Sequence, residues 1–545
     1  MDFEKLKKDY EERILAGKKF CLNNSKFIRK EDTSKLLESV IKKGDKVCVE
    51  GDNQKQADFL ARELLKVDTK KVNNIHFVQS SIVLNEHIEF FNKGIGKKLD
   101  FAYSGPQSKK LYQLVVEKKV QIGAIHTYLE LYGRYFVDLT PRVALLVAES
   151  CDDEGNIYTG FNTEDTPLLC EATKFKYGIV IIQVKNKVKE LPRVDIPASW
   201  VDFIIVTNED YFIQPLFTRD PAKITNMQIA MAMMVLKGIY LKYGVKSLNH
   251  GLGFATAAIE LILPTYGNKL KMKGKYCTHW VLNPHPTLIP AIEKGFVQRI
   301  YCFGGEPGME NYVKNRPDIF FIGADGNLRS NRCYAHIAGL YAIDLFIGAT
   351  LQIDKFGNSS TAIKGMIAGF GGAPNLGGTP PGRRHFSEAF KNAGYFANNN
   401  YYGRKLVVQI TPTVSEKKGI PVFVEELDAK QFLQTGLFET QPVMIVGDQI
   451  THIVTEKGIA YLDLCRDLET RMKAIAAIAG ETKIGQSITK AEVKKLRAKK
   501  IVQTPEDLGI NINEATPKLL AAKNFDDLIK ISKNLYYLPA GIKGD

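Results

Sequence analysis

The residues that could do chemistry are a glutamate and three glycine-rich segments. Residues 249–254 read NHGLGF and run straight into the helical stretch TAAIELIL. Free N–H groups at a helix start hold anions such as carboxylate or phosphate, which makes Gly251 and Gly253 candidates for the thioester end of a ligand. The segment is not a dinucleotide fingerprint, because GxGxxG requires a third glycine and position 256 is Thr256. A second segment, FGGEPGMENY, follows the apolar run VQRIYCF and places Glu306 between Gly305 and Pro307. A carboxylate in such a turn is presented by a loop, and a carboxylate nucleophile attacking a thioester needs that access. Two plainer readings stand beside it: Glu306 solvates a turn, and Glu310 is either a second candidate or an ordinary first-turn helix residue.

The third segment, residues 367–378, reads IAGFGGAPNLGG. Its glycines let backbone approach a ligand closely, and the amides of Gly369, Gly371 and Gly372 are candidates for an oxyanion hole. Asn375 in the same run and Arg383 and Arg384 just beyond it are candidate substrate-binding residues. Guanidinium groups suit a dicarboxylate through bidentate bonds, although adjacent arginines point different ways and one of the two faces solvent. His385 is a proton carrier or a surface histidine. There is no GxSxG elbow, HExxH pair, P-loop or kinase set, so hydrolase, zinc-peptidase and NTPase chemistry have no anchor. The eight cysteines are dispersed and form no CxxC pair, as buried reduced thiols do, and no metal site is expected.

The elements that must position these residues belong to an α/β protein. Short apolar runs alternate with amphipathic segments, as parallel strands covered by crossover helices require. KVCVEG, VALLVAE, YGIVIIQV, WVDFIIV, KLVVQIT and VMIVG read as strands, and QADFLARELLKV as an amphipathic helix. A chain of 545 residues exceeds one ordinary core. Two large domains are expected, residues 1–225 and 226–545, with the catalytic loops in the second. Pro215 and Pro221 mark the join, ahead of the Met-rich helix MQIAMAMMVLKGIYLKYG, whose methionines suit core filling. The pattern Asp-x-x-Gly-Asn occurs at 152–156 and again at 354–358, two tight turns at a domain-sized separation.

With 45% hydrophobic and 25% charged residues, the chain has the balance of a globular protein. Its formal charge of +14 is spread along the sequence. Such a field suits a membrane surface, nucleic acid, cofactor phosphates or an acidic protein partner, or it is simply a Lys-rich solvated surface. No nucleic-acid-binding motif accompanies it. The start, MDFEKLKKDYEERI, lacks a signal peptide's apolar stretch, and LYAIDLFIGATL is interrupted by Asp344, so no membrane span and a cytoplasmic location are expected.

Several long strings, IGAIHTYLELYGRYFVDLTPRVAL, GFNTEDTP, LNPHPTLIPAIEKGF, GMENY, LQIDKFGNSSTA, IAGFGGAPNLGG and ITHIVTEKGIAYL, resemble the alpha subunits of biotin-independent malonate decarboxylases, over nearly the whole chain. The resemblance implies two fused CoA-transferase-like halves, each with a mainly parallel sheet. It implies an acyl-carrier-protein transferase that lets malonate displace acetate from the carrier's thioester. No cofactor would be bound covalently to this chain; the CoA-derived prosthetic group belongs to the partner acyl-carrier protein, and further partner subunits decarboxylate the malonyl carrier. The superfamily's nucleophilic glutamate falls on Glu306, and its GxGG segment on residues 369–372. The related citrate lyase alpha subunit lacks that glutamate and exchanges acyl groups directly, so a covalent and a direct route both stand. The alternative activity is that of a free acyl-CoA:carboxylate CoA-transferase, and a catalytically silent scaffold is the third reading.

Overall fold

The computed structural model describes residues 2–51, 55–215, 220–329, 332–378, 405–415 and 419–539. Arg383, Arg384 and His385 lie outside the described residues. Two sheets organise the chain. The first runs, edge to edge, through Phe27–Ile28, Phe203–Val206, Ile179–Lys187, Val143–Cys151, Lys46–Val49, Ile75–Ser81, Gly96–Tyr103 and Gln121–Ile125, all parallel, with Ile157–Tyr158 paired antiparallel at the end of Val143–Cys151. The second runs through Arg299–Tyr301, His279–Val281, Ser247–His250, Leu345–Gly348, Leu406–Ile410 and His452–Thr455 in parallel, and ends in antiparallel Gly458–Tyr461 and Val502–Gln503.

The apolar content of the central strands explains their place. Val143 to Ala148 are all fully buried, as strands covered by helices on both faces must be, and their register against Ile179 to Val184 is continuous. The helix Asn226–Val235 buries Met231, Met233 and Met234, so its methionines fill core. No helix among the described residues is long and apolar enough to cross a membrane. One expected strand does not form: VMIVG makes a single bridge, Ile445 to Ser359. It then turns, because the Gly447 N–H donates to Asn358 Oδ1 at 2.8 Å and the chain passes tightly over Phe356.

The repeated Asp-x-x-Gly-Asn pattern builds the same turn twice. Asp152 Oδ1 accepts the N–H groups of Glu154 and Asn156 at 3.0 and 2.9 Å, and Asn156 Nδ2 donates back to Asp152 Oδ2 at 2.8 Å. Asp354 Oδ1 accepts those of Phe356 and Asn358, both at 2.9 Å, and Asn358 Nδ2 donates to Asp354 Oδ2 at 2.9 Å. Gly155 and Gly357 sit at φ of +89° and +86°, the left-handed region that favours glycine. Each turn reverses the chain into a short antiparallel strand.

In each sheet the chain winds outward in both directions from a central strand, leaving a crevice at the carboxyl ends where the order reverses. In the first sheet that point lies between Lys46–Val49 and Val143–Cys151, and it is filled. Glu50 Oε2 accepts the Val147 N–H at 2.8 Å, Thr166 Oγ1 donates to Glu50 Oε1, and Lys55 Nζ lies 3.7 Å from Glu50 Oε1, with both charged side chains fully buried. In the second sheet the point lies between Ser247–His250 and Leu345–Gly348. It is open.

Candidate functional site

A cavity of about 210 Å³ occupies the second sheet's crevice, lined by Asn249 to Leu252 from one side of the switch point and Gly348 and Ala349 from the other. Leu282, Asn283 and His285 beyond the neighbouring strand complete its floor, and Phe303 and His336 its far wall. The glycine loop, residues 368–373, closes it together with Tyr103 and Tyr128 from the first half. The site therefore needs both halves.

The glycine loop is docked onto the first sheet. Phe370 and Gly371 both donate their N–H groups to the Ala102 carbonyl, at 2.7 and 2.9 Å, and Tyr128 donates its N–H to Gly371 O at 3.1 Å. A Cβ on Gly369 would lie 2.5 Å from Ala102 O, at a φ of +79°, so glycine is required there by contact and by conformation. The oxyanion candidates divide accordingly. The Gly371 N–H is committed to Ala102, and the Gly251 N–H to Ile347 O at 2.7 Å. The N–H groups of Gly253, Gly369 and Gly372 have no acceptor among the described residues; Gly369 and Gly372 line the cavity and are left for a ligand, whereas Gly253 lies outside its lining. Gly253 precedes the helix Phe254–Ile262. Asn375 lies against the loop itself: with its amide turned so that the nitrogen faces them, it donates to Gly372 O at 3.2 Å and Thr127 Oγ1 at 3.3 Å and accepts from the Leu376 N–H at 3.2 Å.

Glu306 follows the strand Arg299–Tyr301 on a loop, as its glycine and proline neighbours require, but it is fully buried rather than presented to solvent. The loop is gripped from both sides: Asn162 Oδ1 accepts the Gly305 N–H, and Asn283 Nδ2 donates to Gly305 O at 3.0 Å. Glu306 lies outside the residues that line the cavity, while Phe303 on the same loop and Asn283 beside it do line it. Glu310 begins the helix Glu310–Lys314 and faces a separate polar cleft with Glu149, Lys185 and Asn327. Burial raises its carboxyl above the ordinary value.

Several site groups carried no motif. Glu260, on the helix behind residues 249–254, is fully buried and takes the Nδ1 of His250 at 3.0 Å and that of His285 at 2.9 Å on one oxygen, and the Thr287 hydroxyl on the other. Burial would raise its pKa, but the two imidazoles hold it down to about 2. An ionised Glu260 accepts from both Nδ1–H groups, and the Tyr240 hydroxyl meets His250 Nε2 at 2.7 Å. His336 stacks on Phe303 with ring centroids 4.3 Å apart, and burial pushes its pKa down to about 3. Its Nδ1 lies 2.8 Å from the Arg332 carbonyl, so Nδ1 carries the hydrogen and Nε2 is an acceptor. Arg332 is fully buried, pairs with Glu164 of the first half, and lies over the Tyr128 ring at 4.8 Å. Of these groups, Glu164 and His285 lie in the strings GFNTEDTP and LNPHP, whose polar residues follow strands directly.

Chemically, the cavity offers backbone donors at its glycine end, an apolar and aromatic body, and polar side chains at the ends of the two neighbouring strands. No lysine or arginine lines it among the described residues. That arrangement suits a polarised acyl group on an uncharged chain.

Comparison with known proteins agrees over the full length. The family model described as malonate decarboxylase, alpha subunit, transporter, matches residues 2–544. The acetyl-S-ACP:malonate ACP transferase of Malonomonas rubra is 54% identical over 545 residues, covering 99% of this chain and 98% of that one. Among solved structures, a Pseudomonas malonate decarboxylase hetero-tetramer in complex with malonate is 49% identical with a TM-score of 0.95, and the alpha subunit from Acinetobacter baumannii is 50% identical with a TM-score of 0.93. Each covers 99% of both chains. The alpha subunit of citrate lyase from Streptococcus mutans, 16% identical with a TM-score of 0.56 over 92% of this chain and 86% of that one, shares the fold. With a family model spanning nearly every residue and a relative more than half identical from end to end, the chain belongs to the malonate decarboxylase alpha-subunit family.

Proposed function

We propose that this chain exchanges acetyl for malonyl on an acyl-carrier-protein thioester and releases acetate, as the alpha subunit of a malonate decarboxylase assembly with carrier and decarboxylase subunits. The observation that carries the reading is the 54% identity, over 99% of the chain, to a protein named for that transfer. The cavity supports it: the acetyl thioester is uncharged, and the free N–H groups of Gly369 and Gly372 are donors of the kind that stabilise a developing oxyanion. The carrier's prosthetic arm supplies the thiol, and this chain holds and polarises the acyl carbon. The surplus of positive charge gives an acidic carrier a complementary surface.

In the covalent route, a Glu306 oxygen attacks the acetyl carbonyl, the C–S bond breaks, and the carrier thiolate departs, leaving an acetyl-glutamyl anhydride. The thiolate then attacks the glutamyl carbonyl and expels acetate. Malonate repeats the two steps in reverse order, giving malonyl-carrier and free Glu306. In the direct route a malonate oxygen attacks the acetyl thioester, and the thiolate returns to the malonyl carbonyl of the resulting mixed anhydride, again expelling acetate. The enclosure of Glu306 favours giving this second route equal standing, since the covalent one requires the 303–308 loop to turn the carboxylate into the cavity.

The test is acetate release from purified acetyl-carrier and malonate. Acetate in proportion to malonyl-carrier is expected; no exchange in either direction would overturn the reading, and equal turnover on free acetyl-CoA would make it a CoA-transferase.

A further inference from the structure

Two of the polar side chains that line the cavity are asparagines whose oxygens are left unpaired. Asn249 is 2% exposed and spends its amide nitrogen on the Val281 carbonyl at 2.6 Å, while Asn283, 1% exposed, spends its own on Gly305 O at 3.0 Å. Because each nitrogen is fixed by donating to a carbonyl, the orientation of each amide is fixed too. Both Oδ1 atoms are buried and have no hydrogen-bond partner among the described residues. His336 Nε2, on the opposite wall, is an acceptor for the reason given above. Buried acceptors left without donors are costly, and a native site keeps them when something else supplies the hydrogen.

We infer that Asn249 and Asn283 form a subsite for the N–H of a secondary amide in the chain that carries the thioester. The inference rests on the transfer proposed above. A carboxylate does not suit this pair, because it has only lone pairs to set against the Oδ1 lone pairs. An amide chain has N–H donors for the asparagines and methylenes for Leu252, Leu282 and Phe346. With its acyl carbonyl at the donors of the glycine loop, such a chain would meet the acceptors of the asparagines further along. The asparagine pair would then read the arm rather than the acid.

The experiment changes the ligand first, so that folding is not at issue. Acetyl transfer to malonate is measured on the intact protein with S-acetyl-N-acetylcysteamine and with its ester counterpart, in which oxygen replaces the amide N–H. The amide substrate should be favoured by about 10–100-fold in kcat/KM. Asn249→Leu and Asn283→Leu should each bring that ratio toward one. Equal use of the two thioesters by the native protein, or a native ratio in both variants, overturns the inference while leaving the transfer reading intact. If neither thioester is turned over, the unreactive thioether analogues are compared by calorimetry. Tighter binding of the amide form upholds the subsite even though the transfer reading has failed; equal binding overturns it.

Discussion

Asn162 of the first half accepts the N–H of Gly305, the residue immediately before Glu306 in the second half. The bond crosses between halves and is buried, so it ties the candidate catalytic loop to a loop 143 residues earlier. Asn162→Ala should leave the Gly305 N–H unpaired at a cost of about 1–3 kcal/mol. Carrier-dependent acetate release should fall by about 10-fold or more, with a smaller fractional change in the melting temperature. A variant with native turnover would show that the tether does not position the loop.

Glu306→Gln separates the two chemical routes. If the covalent route holds, exchange is lost in Glu306→Gln and Glu306→Ala alike, and hydroxylamine traps an acyl group at Glu306 only in the native chain. Near-native exchange by the glutamine variant, with no trapped adduct, assigns the reaction to direct attack by the acid.

Gly372→Ala would bring a Cβ to within 2.5 Å of His336 Nε2, a side-chain contact, whereas Gly369→Ala would meet the Ala102 carbonyl at 2.5 Å, a backbone contact. Both substitutions should reduce transfer by about 10²-fold or more through displacement of the N–H donors. Only the first should be partly rescued by a second change, His336→Ala, which removes the obstructing ring. Rescue of neither, measured as acetate release, would show that the clash is not the cause.

Arg332 and Glu164 are both fully buried and join the two halves. Arg332→Met leaves an uncompensated carboxylate and should cost about 3–5 kcal/mol of stability. Arg332→Met combined with Glu164→Gln should recover part of that loss, as read from denaturant midpoints. A double variant less stable than the single one would refute the pairing as the origin of the cost.

The Asp100 carboxylate lies between His76 Nε2 at 2.6 Å and His126 Nε2 at 2.7 Å. Burial alone would lower the pKa of His126, but its bonds to Asp100 and Glu130 raise it above the ordinary 6.5. Burial alone would raise the pKa of Asp100, but the two imidazoles hold it well below the carboxylate range. A raised histidine stabilises fully below its unfolded pKa and loses that contribution as pH rises through the folded value. A depressed aspartate stabilises above its unfolded pKa of 3.8 and loses the contribution on acidification. The pair is therefore most stabilising from about pH 4 to 6.5. Asp100→Asn should lower the melting temperature more at pH 6 than at pH 9, and a pH-independent difference would contradict this.

The family and the α/β class were legible because long strings and buried strand patterns are local properties of sequence. VALLVAE and YGIVIIQV have no polar alternation to hide, and the Asp-x-x-Gly-Asn turns form wherever an aspartate can cap its own loop ahead of a glycine with positive φ. VMIVG was misread because its fate depends on Asn358 and Phe356, which lie nearly ninety residues away. The glycine loop was legible as a candidate, but not which of its amides remain free, since that is set by the Ala102 carbonyl on the other half.

By itself, the sequence determined the buried parallel strands such as VALLVAE and YGIVIIQV, that glycine-rich loops end strands in the second half, and that Glu306 sits in a turn. Only the tertiary structure decided that the first switch point is plugged by Glu50 and Lys55 while the second stays open. It alone buried Glu306, and it alone left Asn249 and Asn283 as acceptors. Burial and hydrogen-bond completion depend on groups distant in the chain, and no local pattern encodes which donor will arrive.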